Sequence, residues 1–219
     1  LINNNITVES GTSVNLTGKL VIGQSGGTIT GNGTMTLAAT NGLGIDTSIT
    51  AAGNIAFDGD SNNSSQTGDG ITLGSGVSLT SSGGTITLDS TNGGITAPGA
   101  VTLDAAGAIT LNDDFTASGN IVIKSNGLTI NGSSLSSGTN STTIQTAVAG
   151  TTIGLCGTTC SGSYGFSLTS PGFAKITAGS LIVGDSNNGD ITVEGVTTTI
   201  DNVTLNATNS TGRSIIITV

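Results

Sequence analysis

Three short stretches of the chain carry side chains that could do chemistry. The first is Asp58-Gly59-Asp60-Ser61-Asn62-Asn63-Ser64-Ser65-Gln66-Thr67-Gly68-Asp69, with oxygen-bearing side chains at its first, third, fifth, seventh and ninth places and a carboxylate at its twelfth. Calcium takes hard oxygen ligands, and an EF-hand-like loop offers them at this spacing. Asp58, Asp60, Asn62 and Asp69 are therefore the candidate calcium ligands. Two departures weaken the match: the sixth place is Asn63 instead of glycine, and Asp69 is shorter than the usual glutamate. No helical pattern flanks the loop. The stronger reading is a solvated insertion between structural repeats, with no cofactor. Asp185-Ser186-Asn187-Asn188-Gly189-Asp190 is a weaker candidate of the same kind.

The second stretch is Cys156-Gly157-Thr158-Thr159-Cys160, which holds the only two cysteines. Two thiols without a histidine make a poor zinc site, and the spacing is not that of a redox Cys-x-x-Cys motif. A disulfide closing a tiny loop, with Gly157 to bend the chain, is favoured over two reduced thiols. Such a bond belongs outside the cytoplasm. Close by are Tyr164 and Phe166, the candidate receptor contacts in a chain that is only 2% aromatic. The third stretch is Asp113-Asp114, the one adjacent carboxylate pair. Neighbours on a strand face opposite ways, so acid–base cooperation would need a turn to splay them together. The other charges do not cluster, no catalytic residue is assigned, and an enzyme is not expected.

Composition narrows the classes further. Charged residues make up 8% of the chain, against roughly 25% in a typical globular protein. The basic residues are Lys19, Lys124, Lys175 and Arg213, and the formal net charge is −9. That leaves no electrostatic footprint for nucleic acid. With no histidine, neither a Ser-His-Asp triad nor a His-ligated zinc site can be built. No apolar run approaches the roughly 20 residues that cross a bilayer as a helix, so membrane insertion by this segment is not expected.

The hydrophobic residues, 34% of the chain, come in short bursts such as Ile86-Thr87-Leu88-Asp89, Val101-Thr102-Leu103-Asp104 and Ile109-Thr110-Leu111-Asn112. Alternation with period two puts the apolar side chains on one face of a strand and the hydroxyls on the other. Glycine-rich pairs between the bursts supply turns. A longer period overlies this one. Ile29, Ile49, Ile71, Ile95 and Phe115 recur at steps of 20, 22, 24 and 20 residues, and Met35, Ile55, Val77, Val101 and Ile121 follow each of them six residues later. Ile86, Ile109 and Leu128 make a third series. Two series locked six residues apart, with a third of similar step, predict an all-β parallel β-helix, a β-solenoid with three short strands per coil and about ten coils. An antiparallel sandwich would not keep such a period. Residues 1–219 are read as a single solenoid domain, with an irregular, decorated stretch at about 150–172.

The phrases Gly84-Thr85-Ile86-Thr87-Leu88-Asp89, Gly107-Ala108-Ile109-Thr110-Leu111-Asn112 and Ala117-Ser118-Gly119-Asn120-Ile121-Val122-Ile123 resemble filamentous haemagglutinin-type repeats. The resemblance covers Gly26 to Ile130 well and the rest loosely. It implies a right-handed β-helix from a bacterial surface exoprotein or adhesin, secreted or held at the cell surface. The expected role is structural or adhesive. Its partners would be like subunits or further repeats stacked end to end into a filament, because the apolar bursts Ile6-Thr7-Val8 and Ile215-Ile216-Ile217-Thr218-Val219 carry no polar cap. The alternative is a glycan- or receptor-binding adhesin module, with a carbohydrate-active enzyme or an ice-binding protein ranked below it. Paired threonines, as in Thr28-Ile29-Thr30, Thr34-Met35-Thr36 and Thr85-Ile86-Thr87, resemble ice-binding arrays, but the pairs do not recur coil after coil.

Overall fold

Alternating β-branched and leucine residues, broken by glycine turns every few positions, favour short strands over any helix. The chain obeys this in a computed structural model that describes residues 6–8, 20–22, 29–66, 68–207 and 212–218. Lys19, Thr28, Thr67, Val219 and the side chains of Ile6 to Val8, all named above, lie outside the described residues.

The strands wind into a parallel β-solenoid. Face I is a nine-stranded sheet of Ile6–Val8, Ile29–Gly31, Ile49–Ala51, Val77–Ser81, Val101–Ala105, Ile121–Lys124, Ser141–Gln145, Ser180–Val183 and Val203–Leu205, stacked in sequence order. Face II begins as Met35–Ala38, Ile55–Asp58, Ile86–Asp89, Ala108–Leu111 and Gly127–Ile130. Face III is Leu20–Ile22, Leu43–Ile45, Ile71–Leu73, Ile95–Ala97, Phe115–Ala117, Leu135–Ser136 and Ile176–Thr177. From Ile29 to Gln145 the chain visits I, II and III in turn, and among the described residues every strand-to-strand ladder is parallel, with one isolated antiparallel bridge between Cys156 and Gly195. With strands about 4.8 Å apart, the long face runs for about 40 Å.

Register turns the alternation into columns. On face III, Leu43, Ile71, Ile95, Phe115, Leu135 and Ile176 pair successively, and all are buried. On face I the matching column is Ile29, Ile49, Leu79, Leu103, Ile123, Ile144 and Val183. Each fully buried aliphatic side chain is worth about 1.5–3 kcal/mol of transfer free energy. Buried serines at the corners reach backbone carbonyls in two places, whereas the buried Ser90 hydroxyl has no partner. Ser81 Oγ donates to the Gly53 carbonyl at 2.7 Å, and Ser125 Oγ donates to that of Gly127 at 2.9 Å. Outward hydroxyls also align: Thr72, Thr96, Thr116, Ser136 and Thr177 form one column on face III. It is a column of single residues. The pair Thr34-Met35-Thr36 does not recur above, because Thr36 stacks on Ala56.

The repeat series need one correction. Ile29 and Ile49 belong to face I, whereas Ile71, Ile95 and Phe115 belong to face III. Met35 and Ile55 are on face II, whereas Val77, Val101 and Ile121 are on face I. Two corners share one length: six residues separate Ile49 from Ile55 and also Ile71 from Val77. The insertion between Asp58 and Ile71 hides the change of corner, so a constant spacing conceals a slip of one strand.

Three strands per coil also fails beyond Ser141–Gln145. A four-stranded sheet continues face II in the order Phe166–Thr169, Ile153–Cys156, Ile191–Glu194, Ile215–Thr218. Phe166–Thr169 packs beside Gly127–Ile130, so a later strand sits below an earlier one. No ladder joins that pair among the described residues; instead Lys175 Nζ donates to the Ile130 carbonyl at 2.5 Å. A short helix, Ser170–Phe173, then leads back to face III.

If the columns hold the stack, Ile95→Ala should cost about 2–5 kcal/mol in urea denaturation. The outward change Thr96→Ala, at the neighbouring residue, should cost less than about 1 kcal/mol.

Candidate functional site

Where face II turns toward face III, the strands end in aspartate or asparagine, and their heads stack. Asp58 pairs in register with Asp89. Asn112 Nδ2 donates to Asp89 Oδ2 at 2.9 Å, and Asn131 Nδ2 donates to Asn112 Oδ1 at 2.8 Å. Amides thus follow carboxylates up the corner. Asp60 and Asp113 join from the turn itself. Asp60 is fully buried; its Oδ1 accepts from Ser64 N at 3.0 Å and its Oδ2 from Asn92 Nδ2 at 2.6 Å. Asp113 Oδ2 accepts from Ser90 N at 2.6 Å.

Crowded carboxylates resist ionisation. Burial is the main reason that the Asp58 pKa lies above the ordinary carboxylate value; the charges of Asp89 and Asp60 add to it, and the Asp60 backbone N–H opposes it. Asp113 is raised in the same way by burial and by Asp89, Asp114 and Asp60, against the Ser90 N–H. The adjacent pair Asp113-Asp114 does not converge on a common point. Asp114 Oδ1 accepts from Ser133 N at 2.5 Å and Ser134 N at 2.9 Å, so each carboxylate holds backbone of a different neighbouring coil. A shallow cavity of about 450 Å³ opens here, lined by Thr91, Asn92, Asp113, Asp114, Asn131 and Ser133.

The twelve-residue loop does not close around one point. Asp58 and Asp60 stay at its start, where Asp58 Oδ1 accepts from Asp60 N at 3.0 Å and the Asn62 amide donates to Asp60 Oδ1 at 2.8 Å. Asp69 stands at the far end beside face III, and its Oδ2 accepts from Gln66 N at 2.5 Å. The two ends are fixed to different faces, which an EF-hand's flanking helices would not do. Asn63 takes a positive φ of 51°, the left-handed turn for which an EF-hand uses glycine. Among the described residues, no three acidic or cysteine side chains gather where they could hold a metal ion. In the second loop, Asp185 Oδ1 accepts from Asn187 N at 2.7 Å and Asn188 N at 3.0 Å, a local turn.

Cys156 and Cys160 form a disulfide with Cα atoms 5.1 Å apart. It starts a strap, residues 157–165, that runs back over the outside of the stack to begin Phe166–Thr169. The Tyr164 ring lies on Gly154: a Cβ at 154 would come within 2.1 Å of Tyr164 Cδ2. The Tyr164 hydroxyl donates to Glu194 Oε1, and Ser161 N donates to Glu194 Oε2 at 2.8 Å. The Tyr164 bond, with help from Ser161, holds the Glu194 pKa below its ordinary value. Tyr164 is raised, chiefly by the same bond.

This geometry changes the role assigned to Phe166. Phe166 is 2% exposed and faces the core, because it occupies an inward place paired with Ile153. It cannot meet a receptor. Tyr164 spends one ring face on Gly154 and its hydroxyl on Glu194. Sequence reasoning passed over Gly154 and Glu194; the available signal was a glycine inside the apolar strand Ile153–Cys156, which marks close approach of another group.

Two tests follow from the corner and the strap. A raised carboxylate pKa means the native state binds protons more readily than the unfolded chain, so Asp58 and Asp113 lower stability as pH rises through the window just above about 4. Asp113→Asn should therefore unfold at higher denaturant than the parent at pH 7, with the gap narrowing toward pH 4. Gly154→Ala should displace Tyr164, cost about 1–3 kcal/mol, and open residues 157–165 to a broad-specificity protease while the disulfide stays intact by mass spectrometry.

No family model, no curated protein and no solved structure matches the chain.

Proposed function

We propose that the chain is a stiff structural element of an extracellular adhesive protein, lengthened end to end by further coils of the same kind. The observation that carries this reading is the open core at one end of the stack. Val203, Ile215 and Ile217 belong to inward columns, since they pair with Leu181, Ile191 and Val193, yet they are 37%, 46% and 70% exposed. Among the described residues, Val203–Leu205 and Ile215–Thr218 are also the last strands of their sheets, with no further ladder on their outer edges. One more parallel coil, from a like subunit or from additional repeats, would satisfy both needs at once.

Other features support the same role. Parallel ladders on three faces resist bending. The disulfide suits an oxidising compartment. Among the described residues no helix is long and apolar enough to cross a membrane. The resemblance to filamentous haemagglutinin-type repeats points the same way. Among the described residues one ion pair is present, Lys124 with Asp104 at 3.3 Å, so assembly should depend little on salt.

A second reading, a glycan-binding module, draws on the shallow cavity at Asp113, Asp114 and Asn131. Its carboxylates and amides are the groups that accept and donate to sugar hydroxyls.

Small-angle scattering and negative-stain microscopy over a concentration series test the rod. The expected result is lengthening at constant cross-section, abolished by Ile217→Asp and unchanged between about 0.05 and 0.5 M salt. Particles of one length at every concentration would overturn end-on growth. Glycan-array binding lost in Asp114→Ala would favour the second reading.

A further inference from the structure

The insertion that follows Ile55–Asp58 carries two overlapping Asn-x-Ser sequences, Asn62-Asn63-Ser64 and Asn63-Ser64-Ser65. An asparagine with serine or threonine two places on is the acceptor for N-linked sugar, provided it stands on a surface loop. The same pattern occurs at Asn32, Asn131, Asn140, Asn202 and Asn206. Its copies at Asn5, Asn15 and Asn209 lie outside the described residues. A chain this rich in asparagine, serine and threonine produces the pattern often. What distinguishes one copy from another is whether the amide nitrogen is already in use.

In most copies it is. The Asn131 amide donates to Asn112 Oδ1 at 2.8 Å, and the Asn202 amide to the Gly179 carbonyl at 3.3 Å. Asn140 Nδ2 donates to the carbonyls of Ser118 and Ser137, both at 3.1 Å. Asn62 Nδ2 donates to Asp60 Oδ1 at 2.8 Å and to the Thr40 carbonyl at 3.1 Å. Asn32 and Asn206 have partners as well. Asn62, Asn131, Asn140 and Asn202 each reach a preceding coil, and a sugar on any of these nitrogens would crowd it.

Asn63 differs. It is exposed, and among the described residues no hydrogen bond engages its side chain. Its backbone N–H donates to the Asp60 carbonyl at 2.9 Å, which holds the turn, and its φ of 51° is one that asparagine adopts more readily than most residues. Ser61, Asn62 and Ser65 are exposed as well, so the tip faces solvent. The Ser65 hydroxyl makes one surface contact, donating to Asn92 Oδ1 at 3.1 Å.

We propose that Asn63 is a site of N-linked glycosylation, taking a sugar from a phosphate-activated donor through a transferase. The Asn63 Nδ2–C1 bond forms while the C1–O bond to the donor phosphate breaks. That bonding pair leaves with the phosphate, and the amide gives up one proton. The Ser65 hydroxyl is the second group such an enzyme reads. A sugar here displaces no bond between coils. The assignment does not depend on the rod being adhesive.

The test incubates the folded, disulfide-intact chain in two arms. One uses a soluble N-glycosyltransferase with a nucleotide-activated hexose, the other a membrane oligosaccharyltransferase with a lipid-linked oligosaccharide; the arm that reacts identifies the donor class. Peptide mapping by mass spectrometry reads each described copy. Expected is transfer to Asn63 at least about tenfold faster than to Asn131, Asn140 or Asn202, whose amides must first give up a hydrogen bond. Short synthetic peptides spanning the same copies should lose that preference. Ser65→Ala should abolish transfer to Asn63 while unfolding like the parent. No transfer to the folded chain in either arm, Asn131 or Asn202 reacting ahead of Asn63, or undiminished transfer in Ser65→Ala would each overturn the proposal.

Discussion

Everything in this molecule depends on one coil lying in register on the next. A parallel ladder fixes the backbone spacing, and that spacing sets like side chains directly above one another. Ile71, Ile95 and Phe115 are buried because of that superposition, not because any single coil encloses them. A coil alone has no core. Its two neighbours supply one, as in repeat proteins generally. The same rule governs polar groups: Asp89 gains its Asn112 partner from the coil above, and Asp114 gains its two N–H donors from Ser133 and Ser134.

Superposition also decides where the chain is free. A strand cannot change length without shifting its column, whereas a corner that leaves the cylinder can grow. Sixteen residues separate Ile55 from Ile71, where eight separate Met35 from Leu43. The insertion leaves both flanking ladders intact. It brings Asp60 into the acidic corner at one end and sets Asp69 among glycines beside face III at the other. Two chemically distinct environments therefore arise from a single lengthened turn.

The strands were legible because a three-residue signal such as Ile86-Thr87-Leu88 depends only on local alternation. The assignment of strands to faces was less legible, because two corners of equal length produce the same spacing. Cys156 and Cys160 were readable as a pair, since little else can be made from two nearby thiols. Phe166 was misread because nothing local separates an inward aromatic from an outward one; what turns it inward is its pairing with Ile153 on the preceding strand. Spacing along the chain grouped Asp69 with Asp58 and Asp60, while the fold holds them at opposite ends of the loop.

The strand Phe166–Thr169, seated beneath its own predecessor Ile153–Cys156, bears on how the stack can be assembled. A solenoid that adds coils strictly from its first residue to its last would always lay new chain on the growing tip. Here the shelf above Gly127–Ile130 must stay vacant until the later segment has doubled back beneath the earlier one. Winding from the amino-terminal side is therefore interrupted at this level, and the segment closed by Cys156 and Cys160 is the stretch that has to reverse course.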